Sequence, residues 1–299
     1  MLSVCIPVYN RDVRPLVATL QHQAGNANEE VEIIVIDDHS EERYHIDNLI
    51  LAQDVTYIRL DENIGRSRIR NLFRQYARGR YLLFLDCDVT ITNDTFLQNY
   101  IDAYNACGKS DIVINGGKVY LPTDNPRCRL KMHYAQRCEC LPVSLRAQHP
   151  YRSFITTNFL ISRSAFDLVQ FDETLHGYGH EDTLFGYRLR QQGVTIRHVG
   201  NPVTVADVDD DETFMVKTEE SIGTLAVIYF DILKRDKSFA ADVRLLASYE
   251  LLSRFCLVRP MRLLFRPMRR RLRHILTHGV ANIWMFNFYK LGLLLSHSN

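Results

Sequence analysis

Short, mainly apolar runs alternate with segments of helical spacing over the first part of the chain. The apolar runs cover residues 2–8, 31–36, 55–59 and 81–85. Between them, segments such as 13–23 repeat apolar residues every three or four positions, as an amphipathic helix does. Strands that alternate with helices in this way predict an α/β fold whose mostly parallel sheet is covered by helices and joined by right-handed crossovers.

The same alternation continues to about residue 207, and the remainder of the chain has a helical pattern. A segment rich in Pro, Arg, Cys and His at residues 122–150 has no clear period, which predicts a mobile loop or an insertion that contacts a ligand. The other predicted elements are a helix that residues 92–95 cap and that reaches about 106, a strand pair at 111–121 and a strand at 153–161. A helix at 180–191 and short strands at 194–199 and 202–205 follow.

The composition is that of an ordinary globular protein, with 46% hydrophobic and 24% charged residues in a chain of 299. No charged segment followed by an apolar stretch opens the chain, and no run of about 20 apolar residues occurs, so we expect neither a signal peptide nor a spanning helix. Seven cysteines without repeated spacing indicate a reducing cytoplasm. A zinc site at Cys128, Cys138, Cys140 and His133 is an alternative, but their spacing matches no usual paired-cysteine pattern.

Charge is distributed unevenly along the chain. Residues 251–299 contain eight arginines, one lysine and no Asp or Glu, which leaves a net charge of about −8 on the first 250 residues. From Arg254 to Arg273 the arginines alternate with Leu, Phe and Met, as in helices that lie at a membrane interface. We therefore expect peripheral contact with an anionic membrane, although these helices could instead pack on the body of the protein with a solvated arginine face. Nucleic acid is not expected, because no binding motif accompanies the charge.

Two carboxylates end the most apolar strand. The run from Tyr81 to Leu85 is followed by Asp86 and Asp88, which alternation along a strand directs to the same side. Open α/β sheets place their ligand crevice where such strands end. Paired carboxylates at that point are the ligands that Mg²⁺ or Mn²⁺ uses to hold a phosphate, while an ordinary turn after the strand is the structural alternative.

A second candidate site follows a glycine-rich loop. Gly179 allows the backbone to approach a ligand, and Tyr178 offers an aromatic face on which a sugar ring could stack. Glu181 and Asp182 then open the predicted helix at 180–191, where carboxylates also stabilise the helix dipole. One of these carboxylates has the chemistry of a general base.

Five motifs occur in order along the chain. They are Pro7-Val-Tyr-Asn10, Ile36-Asp-Asp-His-Ser40, Asn63-Ile-Gly65 with Arg70-Asn71, Asp86-Cys-Asp88 and Gly177-Tyr-Gly-His-Glu-Asp182. In this order they resemble the family-2 glycosyltransferases of the GT-A fold over about residues 2–210. A sugar-nucleotide pyrophosphorylase is the nearest alternative on a similar sheet, but its glycine-rich, arginine-containing signature is missing near the first strand.

The resemblance implies a nucleotide-sugar donor, expected to be a UDP-sugar, and a divalent metal, Mn²⁺ or Mg²⁺. It implies that Asp38 accepts a hydrogen bond from the base, that Asp86 holds ribose or donor sugar, and that Asp88 holds the metal on the diphosphate. The other residues that it assigns to the donor are Pro7, Tyr9, Gly65, Arg66 and Arg70.

For the acceptor, a saccharide or a lipid-linked sugar, the resemblance implies a single displacement with inversion. Asp182 would take the proton from the acceptor hydroxyl, and Glu181 would bind the acceptor. The catalytic domain would cover residues 1–212, with a nucleotide-binding half to about 120 and an acceptor-binding half from about 121, followed by a basic helical region at 213–299. The expected location is the cytoplasm, at the inner face of the membrane if the tail binds lipid.

The chain departs from the family pattern at one position. Relatives have a metal-binding histidine shortly after an Asn-Pro-Val such as Asn201-Pro-Val203, and Val205 stands at that position here. Either Asp207 replaces the histidine, or Asp88, the diphosphate and water hold the metal. The alternative function is a sugar-nucleotide-binding or scaffold protein that has lost its metal site and its catalysis.

Overall fold

A computed structural model of the chain describes residues 1–108, 111–279 and 282–298. Its strands are β1 (Leu2–Val8), β2 (Val31–Asp37), β3 (Thr56–Arg59), β4 (Tyr81–Leu85), β5 (Val89–Thr90), β6 (Ile112–Asn115), β7 (Lys118–Tyr120), β8 (Asn158–Ser162), β9 (Thr195–His198) and β10 (Val203–Val205). Its helices are α1 (Arg14–Ala24), α2 (Glu42–Leu49), α3 (Arg66–Tyr76), α4 (Phe96–Asn105), α5 (Arg129–Tyr134), α6 (Val143–Gln148), α7 (Arg163–Leu168), α8 (Glu181–Gln191), α9 (Asp211–Ala226), α10 (Lys237–Asp242), α11 (Arg244–Arg254), α12 (Val258–His278) and α13 (Ile283–His297).

These elements form two compact units, and the chain passes between them several times. Unit 1 contains residues Met1–Leu121, Cys140–Thr174 and Phe185–Asp207. Unit 2 contains residues Pro122–Glu139, Leu175–Leu184 and Val208–Asn299. The functional boundaries predicted at residues 120 and 212 stay predictions.

Unit 1 is built on a seven-stranded sheet in the order β3-β2-β1-β4-β8-β6-β9. Strands β1 to β4 run parallel to one another, and β6 runs parallel to β9. Only β8 is reversed, since it pairs antiparallel with both β4 and β6. The predicted α/β fold with a mostly parallel sheet is confirmed.

Both faces of this sheet are covered, as the unbroken apolar run of β4 predicts. Leu83 and Leu85 of β4 belong to a core that includes buried residues of α1 and α4. Leu82 and Phe84 belong to the opposite core, where Phe84 stacks on Phe159 with ring centroids 5.0 Å apart. Each fully buried side chain of this size contributes roughly 1.5–3 kcal/mol.

A second, three-stranded sheet in the order β5-β10-β7 lies after the strand-end carboxylates. Val205 pairs with Val89 in its antiparallel part, and both side chains are buried in the core. Gly116, between β6 and β7, leaves no room for a side chain, because an added Cβ would lie 2.4 Å from the carbonyl oxygen of Asn201. The buried amide of Asn158 donates to the same oxygen at 2.8 Å. Glycine at position 116 thus permits the close packing that joins β6, β8 and the turn before β10.

Unit 2 is helical. The segment at 122–150, predicted to be a loop, is largely helical instead: its first part, in unit 2, forms α5 and a π-helical turn at Ala135–Glu139, and its last part, in unit 1, forms α6. The carboxylate of Asp211, at the start of α9, accepts hydrogen bonds from the backbone of Leu130 and Lys131 at 3.1 and 3.0 Å. This contact fixes the N-terminal turn of α5 on α9. Among the described residues, no helix is both long and apolar enough to cross a membrane.

Candidate active site

The first site residues of unit 1 lie where β1 and β2 end. Tyr9 follows β1 with 53% of its surface exposed, so its ring is accessible, whereas Pro7 lies within the strand opposite Ile36. Asn10 has a positive φ of 51° and accepts a hydrogen bond from the backbone of Glu41 at 2.8 Å, while its own N–H donates to the Ser40 hydroxyl. These bonds join the loops after β1 and β2 into one rigid rim.

The two adjacent carboxylates after β2 have different roles. Asp37 is fully buried and accepts hydrogen bonds from the Ser40 N–H at 2.8 Å and the Tyr57 hydroxyl at 2.7 Å, so it fixes the turn. Asp38 accepts from the backbone N–H groups of Ile64 at 2.7 Å and Gly65 at 3.0 Å. Burial raises the pKa of Asp38, aided by the charge of Asp37 and opposed by these two bonds.

Asp38 therefore holds the loop that leads into α3. Gly65, the residue directly before α3, has a φ of +83°, a conformation that favours glycine, and an added Cβ would meet no atom within 4 Å. The space beside the Cα of Gly65 is therefore open. Unpaired N–H groups at a helix N-terminus favour an anion in such a space. The exposed Arg66 is the first residue of α3.

Arg70 orients the first carboxylate after β4. Its guanidinium, 4% exposed, donates to Asp86 at 2.8 Å. Burial opposes ionisation of Asp86, but the charges of Arg70 and Arg66 outweigh it and lower its pKa. Arg70 thus positions Asp86, and its predicted contact with the donor stays a prediction.

Asp88 reaches solvent, and among the described residues no side chain forms an ion pair with it. The protein atoms around the carboxylate displace much of its water, and this desolvation, together with the negative charge of Asp86, raises the pKa of Asp88. The positive charges of Arg11 and Arg66 act in the opposite direction, but the pKa stays raised, so a cation would stabilise the ionised carboxylate further. Asp88 therefore fits the metal ligand that the sequence predicts.

Asp207 forms an ion pair that the sequence does not predict. Its Oδ2 lies 2.5 Å from an Nη of Arg11, and the side chains are 67% and 37% exposed. Burial of Arg11 opposes its charge, but the bond to Asp207 and the charges of Asp207 and Asp88 raise the pKa of Arg11. The only signal for Arg11 in the sequence is its place directly after the Pro7-to-Asn10 motif.

No group of three or more His, Cys, Asp or Glu side chains arranged to hold a metal occurs in the part of the chain that the structure describes. The zinc alternative is therefore not formed there, and Cys128, Cys138 and Cys140 form no disulfide bond. Asp86, Asp88 and Asp207 do not form such a group either. A divalent cation that binds a diphosphate often uses only one or two carboxylates, so the metal-binding role of Asp88 stays a prediction.

The second candidate site lies in unit 2, on the loop before α8. The N–H of Tyr178 donates to Glu220 at 2.9 Å, and the Thr224 hydroxyl donates to the Tyr178 carbonyl at 3.1 Å. Gly179 has a φ of +84°, and an added Cβ would lie 2.8 Å from the Cβ of Ser221. Helix α9 therefore supports this loop, a role for Glu220, Ser221 and Thr224 that no pattern in the sequence signals.

The two carboxylates at the start of α8 differ in exposure. Glu181 is buried with 8% exposed, whereas Asp182 is half-buried. Asp182 accepts a hydrogen bond from the N–H of Thr183 at 2.6 Å, which favours the ionised form. His180 has a φ of +63°, and its Nδ1 lies 3.0 Å from the Thr183 hydroxyl. The Lys217 ammonium lies 5.8 Å from the centroid of the Tyr178 ring, the ring predicted to stack on a sugar.

A comparison with known protein families gives evidence that is independent of the sheet and the strand-end carboxylates. A sequence profile for glycosyl transferase family 2 matches residues 3–169, more than half of the chain. The chain belongs to glycosyl transferase family 2. Among relatives of this family-2 chain, the uncharacterized glycosyltransferase YfnE of Bacillus subtilis is 26% identical over 265 residues, covering 70% of this chain and 67% of the relative.

Chondroitin synthase of Pasteurella multocida is 28% identical over 234 residues, which are 66% of this chain but 23% of that enzyme. The family-2 chain thus spans about a quarter of that much longer relative.

Two solved structures share the fold. The mannosyltransferase PcManGT of Pyrobaculum calidifontis, in complex with GDP-Man and Mn²⁺, matches with a TM-score of 0.64 at 12% identity, over 98% of this chain and 85% of that one. TarS 1-349 of S. aureus, in complex with UDP-GlcNAc, matches with a TM-score of 0.55 at 16% identity, over 97% and 89%. These likenesses confirm the GT-A fold.

Proposed function

We propose that this family-2 glycosyltransferase moves a sugar from a nucleotide-sugar to a saccharide or lipid-linked acceptor with inversion. One observation carries the proposal. The ends of β1, β2 and β4 are followed by an exposed aromatic ring, a helix N-terminus whose preceding loop is held by Asp38, and the exposed carboxylate of Asp88, which has no ion-pair partner among the described residues. A base, a diphosphate and a cation are the ligands that these three features complement.

The donor assignment follows from this arrangement. Tyr9 and Pro7 would contact the nucleoside. Arg66 and the first N–H groups of α3, which follow Gly65, would face the phosphates. Asp86, oriented by Arg70, would accept hydrogen bonds from ribose or the donor sugar. A UDP-sugar is the first candidate donor and a GDP-sugar the second, since the two solved relatives were studied with UDP-GlcNAc and with GDP-Man.

A divalent metal belongs to the proposal. Asp88 would hold it, with the donor diphosphate and water completing its coordination, and Mn²⁺ accompanies GDP-Man in one structural relative. When bound, the cation would stabilise the negative charge that develops on the leaving diphosphate. Asp207 is the nearest additional oxygen ligand in the sequence, but it would have to leave its ion pair with Arg11.

Asp182 is the proposed general base, and Glu181, Tyr178 and Gly179 are the proposed acceptor contacts. Adjacent residues of a helix point in different directions, so one of the two carboxylates is better placed than the other to meet the attacking hydroxyl. The half-buried Asp182 is the more accessible of the pair. It would accept the proton as the acceptor oxygen attacks the donor sugar.

Ligand-induced stabilisation tests the proposal directly. UDP-, GDP- and dTDP-sugars would be screened for their effect on the melting temperature, each with Mn²⁺ and with EDTA. A donor present at 100 times its Kd stabilises the native state by about 2.7 kcal/mol. We expect one donor class to stabilise the protein with Mn²⁺ and much less with EDTA or in Asp88→Asn, while Asp94→Asn serves as a control for the loss of an exposed carboxylate. Equal stabilisation in EDTA would contradict the metal assignment, and no effect of any donor would contradict the function.

The alternative is a non-catalytic protein that binds sugar nucleotides, favoured by Val205 in place of a histidine and by the pairing of Asp207 with Arg11. Donor binding without any transfer or donor hydrolysis across a panel of saccharide acceptors would support it. A cytoplasmic location is part of the main proposal, because the described cysteines form no disulfide bonds, as is usual in a reducing compartment.

A further inference from the structure

The arginines of α12, together with Arg254 at the end of α11, divide into two groups according to their contacts. Arg273 pairs with Glu212 at 2.7 Å and with Glu219 at 3.2 Å, and Arg269 lies 3.4 Å from Glu219. Arg262 donates to the Ser298 hydroxyl at 2.9 Å. These three arginines hold α12 against α9 and the end of α13.

The second group has no such role. Among the described residues, no acidic side chain pairs with these arginines, and all of them are exposed. They are Arg254, Arg259, Arg266, Arg270 and Arg271. Lys290 is separate from this group, because its ammonium lies over the rings of Tyr134 and Phe286, 5.0 and 4.8 Å from their centroids.

Large apolar side chains are exposed beside these arginines. Leu263 is 70% exposed and Leu264 is 53% exposed, directly before the buried Phe265 of α12. The end of α11 and the turn after it add further exposed apolar surface at Leu251, Phe255 and Leu257, with 57%, 62% and 43% exposed. A cluster of exposed apolar side chains on a protein surface indicates an interaction site.

Helix α12 cannot turn this face inward. Its opposite side is fixed by Phe265, which is 1% exposed and lies against Gly292 of α13 so closely that an added Cβ there would be 2.2 Å from the Phe265 ring. Leu272 and Leu276 are buried on the same side. On a helical wheel, Leu263 and Arg270 lie opposite this inner side, and Arg266 lies on its flank.

We propose that the outer face of α12, with the end of α11, docks on an anionic lipid surface. The exposed leucines and phenylalanine would enter the interfacial region, while the five unpaired arginines would meet lipid phosphates. A nucleic acid would satisfy the arginines but leave the leucines in water. A second copy docked through the same face would bring arginine against arginine. An anionic membrane complements both the charge and the apolar side chains.

Vesicle co-sedimentation tests this proposal without any need for donor or acceptor, so it stands or falls separately from the proposed transfer. The full chain would be mixed with two kinds of vesicle, at low and at high salt. One kind contains phosphatidylcholine alone, and in the other about 30% of the lipid is phosphatidylglycerol. We expect binding to the anionic vesicles that falls steeply with salt, because surface charges are screened. No binding at low salt, or equal binding to neutral vesicles, would overturn the proposal.

Two variants locate the surface. Arg266→Ala/Arg270→Ala/Arg271→Ala should weaken binding about 100-fold, since each arginine near an anionic surface contributes roughly fivefold. Its control removes three exposed charges elsewhere, at Arg137, Lys237 and Arg244, and should retain most of the affinity. Equal loss in the control would mean that overall charge, and not this face, carries the binding.

Leu263→Gln/Leu264→Gln should weaken vesicle binding about tenfold or more while keeping its salt dependence. Its control, Ile46→Gln/Leu49→Gln, changes two similarly exposed apolar residues of α2, which are 62% and 51% exposed. Polyglutamate would be tested as a competitor. If it binds as tightly as the vesicles and is indifferent to the leucine pair, the face recognises an acidic polymer and the lipid proposal is wrong. Circular dichroism melting would verify that all variants fold.

Discussion

The Arg11 guanidinium pairs with the Asp207 carboxylate at 2.5 Å, beside the loop that carries Asp88. Arg11 therefore supplies positive charge where a divalent cation would bind. We expect Arg11→Gln to strengthen Mn²⁺ binding in the absence of nucleotide by roughly fivefold, because removing this charge is worth about 1 kcal/mol near the protein surface. Calorimetric Mn²⁺ titration measures this. Arg14→Gln, which disrupts the exposed pair with Asp12, is the control, and a fall in Mn²⁺ affinity in Arg11→Gln would contradict the prediction.

The proton acceptor can be tested by removing its charge alone. Asp182→Asn keeps the shape of the side chain but cannot take a proton, so we expect transfer to fall by about 10²–10⁴-fold while donor affinity stays nearly unchanged. Transfer rates and calorimetric donor binding would be measured together. Glu181→Gln is the matched variant: if it loses transfer and Asp182→Asn does not, the assignment is reversed. Loss of donor binding in Asp182→Asn would instead indicate a structural role.

Arg70 and Arg74 lie on the same helix and test how much a buried ion pair matters. Arg70, 4% exposed, pairs with Asp86, whereas Arg74 and Asp167 are 34% and 47% exposed. Arg70→Gln leaves Asp86 partly buried without its partner, and we expect a loss of about 2–4 kcal/mol in the free energy of unfolding. Arg74→Gln should lose no more than about 1 kcal/mol. Urea denaturation measures both, and equal losses would refute the structural role of Arg70.

His180 makes stability depend on pH. Burial and the charge of Lys290 outweigh the opposing charge of Glu181 and lower the pKa of His180 to about 4. The unfolded chain takes up this proton near pH 6.5, but the folded chain does so only near pH 4. The contribution of neutral His180 to the free energy of unfolding is therefore fully present above pH 6.5. As the pH drops from 6.5 towards 4, the free energy of unfolding falls by up to about 1.4 kcal/mol per pH unit.

The variant His180→Asn isolates that contribution, because asparagine tolerates the positive φ of residue 180 and does not titrate. We expect its unfolding free energy to decline less steeply than that of the parent between pH 6.5 and 4. His176→Asn, at an exposed position of the same loop, should leave the slope unchanged. Parallel slopes in parent and His180→Asn would show that His180 is not kept neutral in the fold.

The sequence predicts most of the large sheet, because each of its first four strands is a distinct apolar run and the helices between them have clear spacing. Strand β8 is recognisable as a strand, but its antiparallel direction depends on long-range pairing with β4 and β6. The two residues of β5 are too few to show any period. The three-stranded sheet therefore appears only in the structure, and with it the reason that Val205 is apolar: the residue packs in the core opposite Val89.

For the candidate site, motifs identify carboxylates but not their partners. Nothing local distinguishes Asp37, which fixes a turn through Tyr57, from Asp38, which holds the loop before α3. The pairing of Arg11 with Asp207 joins residues almost two hundred positions apart, and the support of Tyr178 by α9 joins residues more than forty apart. Such contacts arise from the fold as a whole. The roles of these residues in binding and transfer stay predictions.

The support of the Tyr178–Gly179 loop by α9 has a consequence for the exchange of parts between relatives. A chimera that replaces everything after residue 207 would remove Glu220, Ser221 and Thr224 from beneath the loop while leaving the loop sequence untouched. The loop and α9 therefore have to be transplanted together. If the loop determines acceptor specificity, then selection for a new acceptor acts at once on two distant stretches of the gene, one for the loop and one for α9. Recombination between these stretches would separate the loop from the helix that supports it.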